Sequence, residues 1–260
     1  QRNLAELANH SYDLLVVGGG IYGACLTWEA ITRGLSVALV EKQDFGSATS
    51  ANSLKIIHGG LRYLQHVDFK RMRESIQERK NLLKIAPHLI HPLPILVPTY
   101  GHGMKGPEIM AIALWLNDLI SCDRNWSISD PAHHIAAGRI LSKADCLALL
   151  PGLSPDGLTG GACFCDAQVY NSERLTLAFL QSAQAAGAAI ANYAKVTGFL
   201  KHQNRIQGAI VRDEITGATF EVQAKLVVNT AGPWIHQLKD LALPPEQPQP
   251  PITLAKAVNL

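Results

Sequence analysis

The chain lacks any unbroken apolar run that approaches the roughly 20 residues of a bilayer-spanning helix. Its opening residues, QRNLAELANHSYD, lack the apolar stretch of a signal peptide. Neither a membrane span nor export is therefore expected. Charge of one sign is also missing: 23 basic and 21 acidic residues leave a formal +2. With no basic stripe interleaved with aromatics, nucleic acid is not an expected partner. Cysteine is sparse and odd in number, five in all, as for reduced thiols in a reducing, cytoplasmic compartment. Cys163-x-Cys165 has no second pair, so it reads as two small half-buried strand residues and not as a zinc site. His133-His134 has no acid or cysteine spacing around it, so both histidines are expected in solvent and no metal is expected. The Asn125-Trp126-Ser127 sequon is idle in a protein that is not secreted. What is present is a globular composition, 47% hydrophobic and 17% charged. The length suits one large domain or two interleaved ones.

The most informative stretch is Tyr12 to Glu41, YDLLVVGGGIYGACLTWEAITRGLSVALVE. Tyr12 to Val17 reads as a strand. Gly18-x-Gly20-x-x-Gly23 then opens a helix, Arg33-Gly34 turns the chain, and Ser36 to Val40 forms a second strand that ends at Glu41. These are the parts of a dinucleotide site. Gly18 permits the tight turn, Gly20 lets a pyrophosphate approach the backbone, and Gly23 lets the helix pack on the strand. The helix N-terminus offers N–H groups and partial positive charge to phosphates. Glu41 follows Gly23 by 18 residues, close to the ~20 expected of a carboxylate that accepts ribose hydroxyls.

Beyond Glu41, a Gly/Ser/Ala/Thr/Asn-rich loop runs from Asp44 to Ser53 and leads into LKIIHGGLRYLQ, Leu54 to Gln65. Taken alone, its Thr49, Ser50, Ser53 and Lys55 read as a surface loop. Lys70 to Ile85 reads as a charged helix stopped by Ala86-Pro87. His91 to Thr99, with three prolines, reads as an edge strand or extended chain. Pro107 to Ile120 is a more apolar helix, and Asn125 to Ile140 is loop-like. Ser142 to Leu149 is a short helix with Ser142 as N-cap and Asp145 in the capping-box position. An Ala-rich helix spans Leu175 to Ala186 and ends at Gly187. Strands are expected at Ala189 to Thr197, Ile206 to Arg212 and Ala218 to Val222, with a buried one at Lys225 to Asn229. Pro244 to Pro251 reads as a linker, followed by the start of a further strand.

Four patches together resemble the FAD-dependent glycerol-3-phosphate dehydrogenase family of D-amino-acid-oxidase-like flavoproteins. They are the glycine fingerprint, EKQDFGSATSANSLKIIHGGLRYLQH (Glu41 to His66), ERKNLLKIAPHLIHPLP (Glu78 to Pro94), and NTAGPW (Asn229 to Trp234) preceded by CDAQVYNSERL (Cys165 to Leu175). The HGGLRYL core is the most specific. The likeness is weaker from Met104 to Pro151. Leu54 replaces a small polar residue of the family, and Tyr170 and Asn171 stand where acids are common. Members of that family run well beyond the position of Leu260. The resemblance therefore implies an α/β fold: a discontinuous Rossmann-like FAD-binding domain (10–100 and 160–235) and an incomplete α+β substrate or cap domain (101–159 and 236–260).

The same resemblance implies oxidation of sn-glycerol 3-phosphate to dihydroxyacetone phosphate, with electrons passed from FAD to a quinone. Gly18, Gly20, Gly23 and Glu41 would hold the ADP half of FAD, with Lys42 over the adenosine edge or in solvent. Thr49, Ser50, Ser53 and Lys55 would meet pyrophosphate oxygens and the polar edge of the flavin. Ala231 and Gly232 would pass close to the dinucleotide, and the Val196 backbone would meet adenine. Gly59-Gly60 would let the chain run beside the isoalloxazine. His58 would be the base, histidine being the side-chain type suited to proton transfer near neutrality, or would position the cofactor. Arg62 would hold the substrate phosphate. The helix MAIALWLNDLI (Met110 to Ile120) is a core helix or lies flat on the quinone's membrane with Trp115 at the interface. In the flat-lying case, charges at Leu114 and Leu116 would release the protein from lipid. A homodimer is left open. The alternatives are an FAD-binding module silent on its own, or an amino-acid or sarcosine-type oxidase. An NAD-linked dehydrogenase would leave HGGLRYL and NTAGPW unexplained.

Overall fold

The computed structural model describes residues 2–203 and 205–243; the expected linker at Pro244 to Pro251 and the strand after it lie outside them. In chain order the elements are α1 (Leu4–Asn9), β1 (Ser11–Val17), α2 (Ile21–Thr32), β2 (Val37–Val40), β3 (Ile56–Ile57), a 3-10 turn (Leu61–His66), α3 (Phe69–Ile85), β4 (Ile90–Tyr100), α4 (Pro107–Ile120), β5 (Arg139–Leu141), α5 (Lys143–Leu149), β6 (Leu158–Val169), α6 (Ser172–Ala185), β7 (Ala189–Ala191), β8 (Ala194–His202), β9 (Arg205–Asp213), β10 (Thr219–Asn229) and α7 (Ile235–Ala242). They divide into two compact units. The first takes its described residues from 2–54 and 172–243, and the second is Lys55–Asn171. Residues 55–100 and 160–171, expected with the dinucleotide-binding part, thus fall in the second unit.

The first unit is a six-stranded sheet in the order β7-β2-β1-β10-β9-β8. β7, β2, β1 and β10 run parallel, and β9 and β8 add an antiparallel flank. One face is covered by α2 and α6, whose Ala24, Ala30, Leu180 and Ala183 are buried with Leu14, Val16 and Leu39. The small buried face of α2 (Gly23, Ala24, Thr27, Ala30) brings that helix close to the strands. Leu7 of α1 and Leu238 of α7 pack on the opposite face with Leu15, Val211 and Val222. Each large aliphatic side chain removed from water here contributes about 1.5–3 kcal/mol.

Three expected strands differ. Ala189 to Thr197 is not one strand: Tyr193, at φ +51°, turns the chain, so that β7 pairs with β2 while β8 pairs with β9. Ala218 to Val222 and Lys225 to Asn229 form the single strand β10, and its second half is only partly buried, with Leu226 58% exposed. The Ala-rich helix begins at Ser172, three residues before its expected start at Leu175.

The second unit is built around β6. It pairs along its length with β4 on one side, and with β3 and β5 on the other. β4 is an edge strand, as its prolines require. β5 lies at the end of the expected loop. It can approach β6 because Gly160 and Gly161 carry no side chain; a Cβ there would meet Leu141 O at 2.5 Å and Cys146 Sγ at 2.8 Å. α5 has the expected capping box, with Ser142 Oγ accepting from Asp145 N–H and the Asp145 carboxylate accepting from Ser142 N–H. Cys163 and Cys165 are half-buried strand residues with free thiols.

Candidate functional site

In the first unit β1 ends at Val17 and the backbone turns at Gly18, φ +116°. The first and third glycines are held by backbone. A Cβ on Gly18 would lie 2.7 Å from Thr230 O, and one on Gly23 would lie 1.9 Å from Gly18 O. The second is open: a Cβ on Gly20 would meet only Ser50 Oγ, at 3.2 Å, among the described residues. Gly20 is the N-cap of α2, has no side chain to cap it, and leaves the helix N-terminus facing that opening. Ser50 lends its Oγ to Ile21 N–H at 2.9 Å. A bare glycine cradle at a helix start whose N-cap carries no side chain is what a pyrophosphate needs, so these residues fit a dinucleotide.

Thr230, which the motif reading does not single out, locks the cradle in place. Its N–H donates to Val17 O at 2.9 Å and its hydroxyl reaches Gly18 O at 2.9 Å. The strand end that carries Ala231 and Gly232 is thereby set against the glycine turn. The Glu41 carboxylate accepts from Gly19 N–H at 2.7 Å and Gln43 N–H at 2.8 Å; its remaining lone pairs can still accept hydroxyls. Glu41 O accepts from Ala194 N–H at 2.7 Å, which brings the start of β8 beside it. Val196 follows on β8 with its side chain in the core, 5% exposed, so that its backbone is what it can offer a ligand. Lys42 Nζ stands 3.5 Å over the Trp234 ring. Burial holds this ammonium below its ordinary range, with Glu41 opposing. Thr49 is exposed in the loop, and Ser53 lies near its end.

In the second unit Lys55 takes φ +59°, and its carbonyl accepts from Val169 N–H at 2.9 Å. β3 pairs Ile57 with Ala167, and this register sets His58 and Gly59 beside Asp166. His58 Nδ1 is 3.1 Å from Asp166 Oδ2, while Asp166 Oδ1 accepts from Gly59 N–H at 2.7 Å and Arg79 Nη1 at 2.6 Å. Arg79 also donates to Cys165 O at 3.1 Å. Arg79 and Asp166 are buried, 4% and 6% exposed at the side chain, whereas the His58 ring is 67% exposed. Burial lowers the Arg79 guanidinium from its ordinary range, and the Asp166 carboxylate opposes that. The paired glycines have a local reason of their own. A Cβ on Gly59 would lie 2.1 Å from Arg79 Nη1, and Gly60 takes φ +83° at the start of the 3-10 turn. Arg62, on that turn, is exposed and has no hydrogen bond or ion pair among the described residues. Asp166 and Arg79 sit within quoted patches, but nothing in their spacing announces that they meet.

The two adjacent histidines do not converge. His133 bonds Asp130 and Pro87 O, and His134 bonds Ile128 O. Both rings are thus tied down and not simply solvated. Leu114, offered as a lipid-facing residue, is 3% exposed against Gly138, while Ile112, Trp115 and Leu119 are 56%, 64% and 58% exposed. Among the described residues no helix is long and apolar enough to cross a membrane.

The chain is similar to glycerol-3-phosphate dehydrogenase of Synechocystis, 40% identical over 93% of this chain and 42% of that protein. It is also similar to alpha-glycerophosphate oxidase of Streptococcus pneumoniae, 35% identical over 92% of this chain and 38% of that one. Among solved structures, the glycerol-3-phosphate dehydrogenase of Bacillus halodurans, complexed with FAD, superposes with a TM-score of 0.68 at 29% identity, over 92% of this chain and 38% of that chain. The chain thus spans about two fifths of the length of these relatives. The model of the FAD dependent oxidoreductase family matches residues 13–259. With a Rossmann-like sheet, an open glycine cradle and that match over nearly its whole length, the chain belongs to the family of FAD dependent oxidoreductases, whose cofactor is FAD.

Proposed function

We propose that the intact protein oxidises sn-glycerol 3-phosphate to dihydroxyacetone phosphate and passes the electrons to a quinone. The reading is supported by the names of the relatives above and by one observation in particular. The HGGLRYL segment offers an exposed imidazole, His58, and an exposed, uncommitted guanidinium, Arg62, four residues apart. Oxidation of a secondary alcohol takes a hydride from carbon and a proton from the hydroxyl. FAD, when bound, supplies the hydride acceptor. His58 takes the proton at a ring nitrogen, and Arg62 grips the substrate phosphate through its fork of donors.

The cofactor's ADP half is assigned to Gly18, Gly20, Gly23 and Glu41, its adenine to the Val196 backbone and Lys42, and its further polar edges to Thr49, Ser50, Ser53, Lys55, Ala231 and Gly232. Anaerobic addition of glycerol 3-phosphate to the flavin-loaded protein should bleach the flavin absorbance. Retained yellow colour with full FAD occupancy would refute the assignment. Quinone-like dye reduction set against peroxide release then separates a quinone acceptor from the oxygen used by an oxidase.

The exposed Ile112, Trp115 and Leu119 lie on one face of α4, with Met104 82% exposed in the turn before it. This supports peripheral attachment to the membrane that holds the quinone.

A further inference from the structure

We infer that Asp166 and Arg79 form a buried positioning pair that fixes which nitrogen of His58 acts as the base. The inference rests on the proposed dehydrogenation and adds how its proton acceptor is prepared. Asp166 is surrounded by donors: Gly59 N–H at 2.7 Å and Arg79 Nη1 at 2.6 Å on Oδ1, with His58 Nδ1 at 3.1 Å on Oδ2. A carboxylate paired with a guanidinium accepts hydrogen bonds and donates none. The nitrogen facing it must therefore carry the hydrogen, so neutral His58 is the Nδ1–H tautomer. Its Nε2 then bears the lone pair, on a ring that is 67% exposed. A histidine left to itself carries no such constraint; here the outer partner sets tautomer and ring orientation together.

Arg79 has a separate task. It is 3% exposed, lies against Gly59 and also donates to Cys165 O, so the guanidinium that grips Asp166 is itself anchored to the backbone. Charge, backbone and glycine geometry converge on one carboxylate. The proton lost by the substrate hydroxyl goes to Nε2, giving an imidazolium whose Nδ1–H remains on Asp166. Asp166 keeps its charge and exchanges no proton.

The test is made on the intact, flavin-loaded protein. Long-range proton–nitrogen NMR on protein labelled with ¹⁵N-histidine reads the tautomer directly, with His58→Gln serving to assign the signal. The Nδ1–H form is expected for His58, and an Nε2–H form would overturn the proposal whatever the enzyme's activity. Asp166→Asn, where it folds, should lower kcat by about 100-fold or more with KM little changed, because the amide can donate to Nδ1 and release the tautomer. Arg79→Lys keeps the charge and should retain the Nδ1–H signal with a smaller loss of kcat. An unaltered kcat in Asp166→Asn would also overturn the proposal. Failure of glycerol 3-phosphate to bleach the flavin, with the Nδ1–H tautomer present, would fault the substrate assignment and not the pair.

Discussion

A methyl group added at Gly59 would sit 2.1 Å from Arg79 Nη1, the buried atom that donates to Asp166 and to Cys165 O. Gly59→Ala should therefore destabilise the second unit by about 1–3 kcal/mol, measured as a fall in its urea midpoint. Gly23→Ala meets a harder obstacle, since Gly18 O lies 1.9 Å from the new Cβ and belongs to the backbone of the cradle itself. The expected result is protein that purifies with little or no flavin, read from its absorbance ratio. At the surface, Asp13 accepts from Lys225 Nζ at 2.7 Å and from Ser36 N–H and Oγ at 2.9 Å each. The lysine first, and Ser36 after it, hold this carboxyl down at about 2. Its unfolded counterpart titrates near ~3.9, so the stability it contributes is complete above that value and disappears as pH falls through about 2. The gap in urea midpoint between the parent and Asp13→Asn should accordingly be constant from neutrality to about pH 4 and close by about pH 2.

Among elements, α4 shows what periodicity settles and what it leaves open. Its ends follow from Pro107 at the first helical position and from the apolar run behind it. Its buried side follows only from what lies opposite, Gly138 against Leu114. Lipid attachment should therefore be lost on Ile112→Glu, Trp115→Glu or Leu119→Glu, whose wild-type side chains are exposed; undiminished co-sedimentation of all three with liposomes would dismiss it. A charge at Leu114 would instead test the core. α3 and α5 were legible for the same local reasons, a proline stop and a capping box. β6 was legible only around Cys163 and Cys165, because LTGGACFCDAQV replaces the usual alternation of large apolar residues with glycines and small side chains that admit β5 and α5. The break between β7 and β8 hid behind Tyr193, a residue with no sequence-level mark of left-handed backbone. Among site residues the glycine cradle was readable, since all its parts lie within one short segment. Asp166 was not, standing 108 positions from His58 and 87 from Arg79.

Over the whole molecule the two units pose different folding problems. In the second, β4 and β6 are brought together across about 60 positions, as between Thr99 and Thr159. In the first, β1 must find β10 across 212, the span between Asp13 and Lys225. The longer closure costs about 1 kcal/mol more on chain entropy alone, and non-local pairing slows folding further. Pulse-labelled hydrogen exchange during refolding should show β4 and β6 amides protected before those of β1 and β10. The opposite order would show that the discontinuous sheet nucleates independently of its long insertion.

The prolines of β4 have an effect that reaches past this chain. Pro92, Pro94 and Pro98 face Ala167, Cys165 and Gly161 across the ladder and fill three of four alternate places along the strand, Leu96 holding the other. Lacking an N–H, each turns a blank toward the outer margin, where Leu96 alone of these four places keeps a donor, while Leu93, Ile95 and Val97 turn theirs to β6. A stray strand from another copy would find no regular row to zip onto, so the border guards against fibril growth through three absent hydrogens.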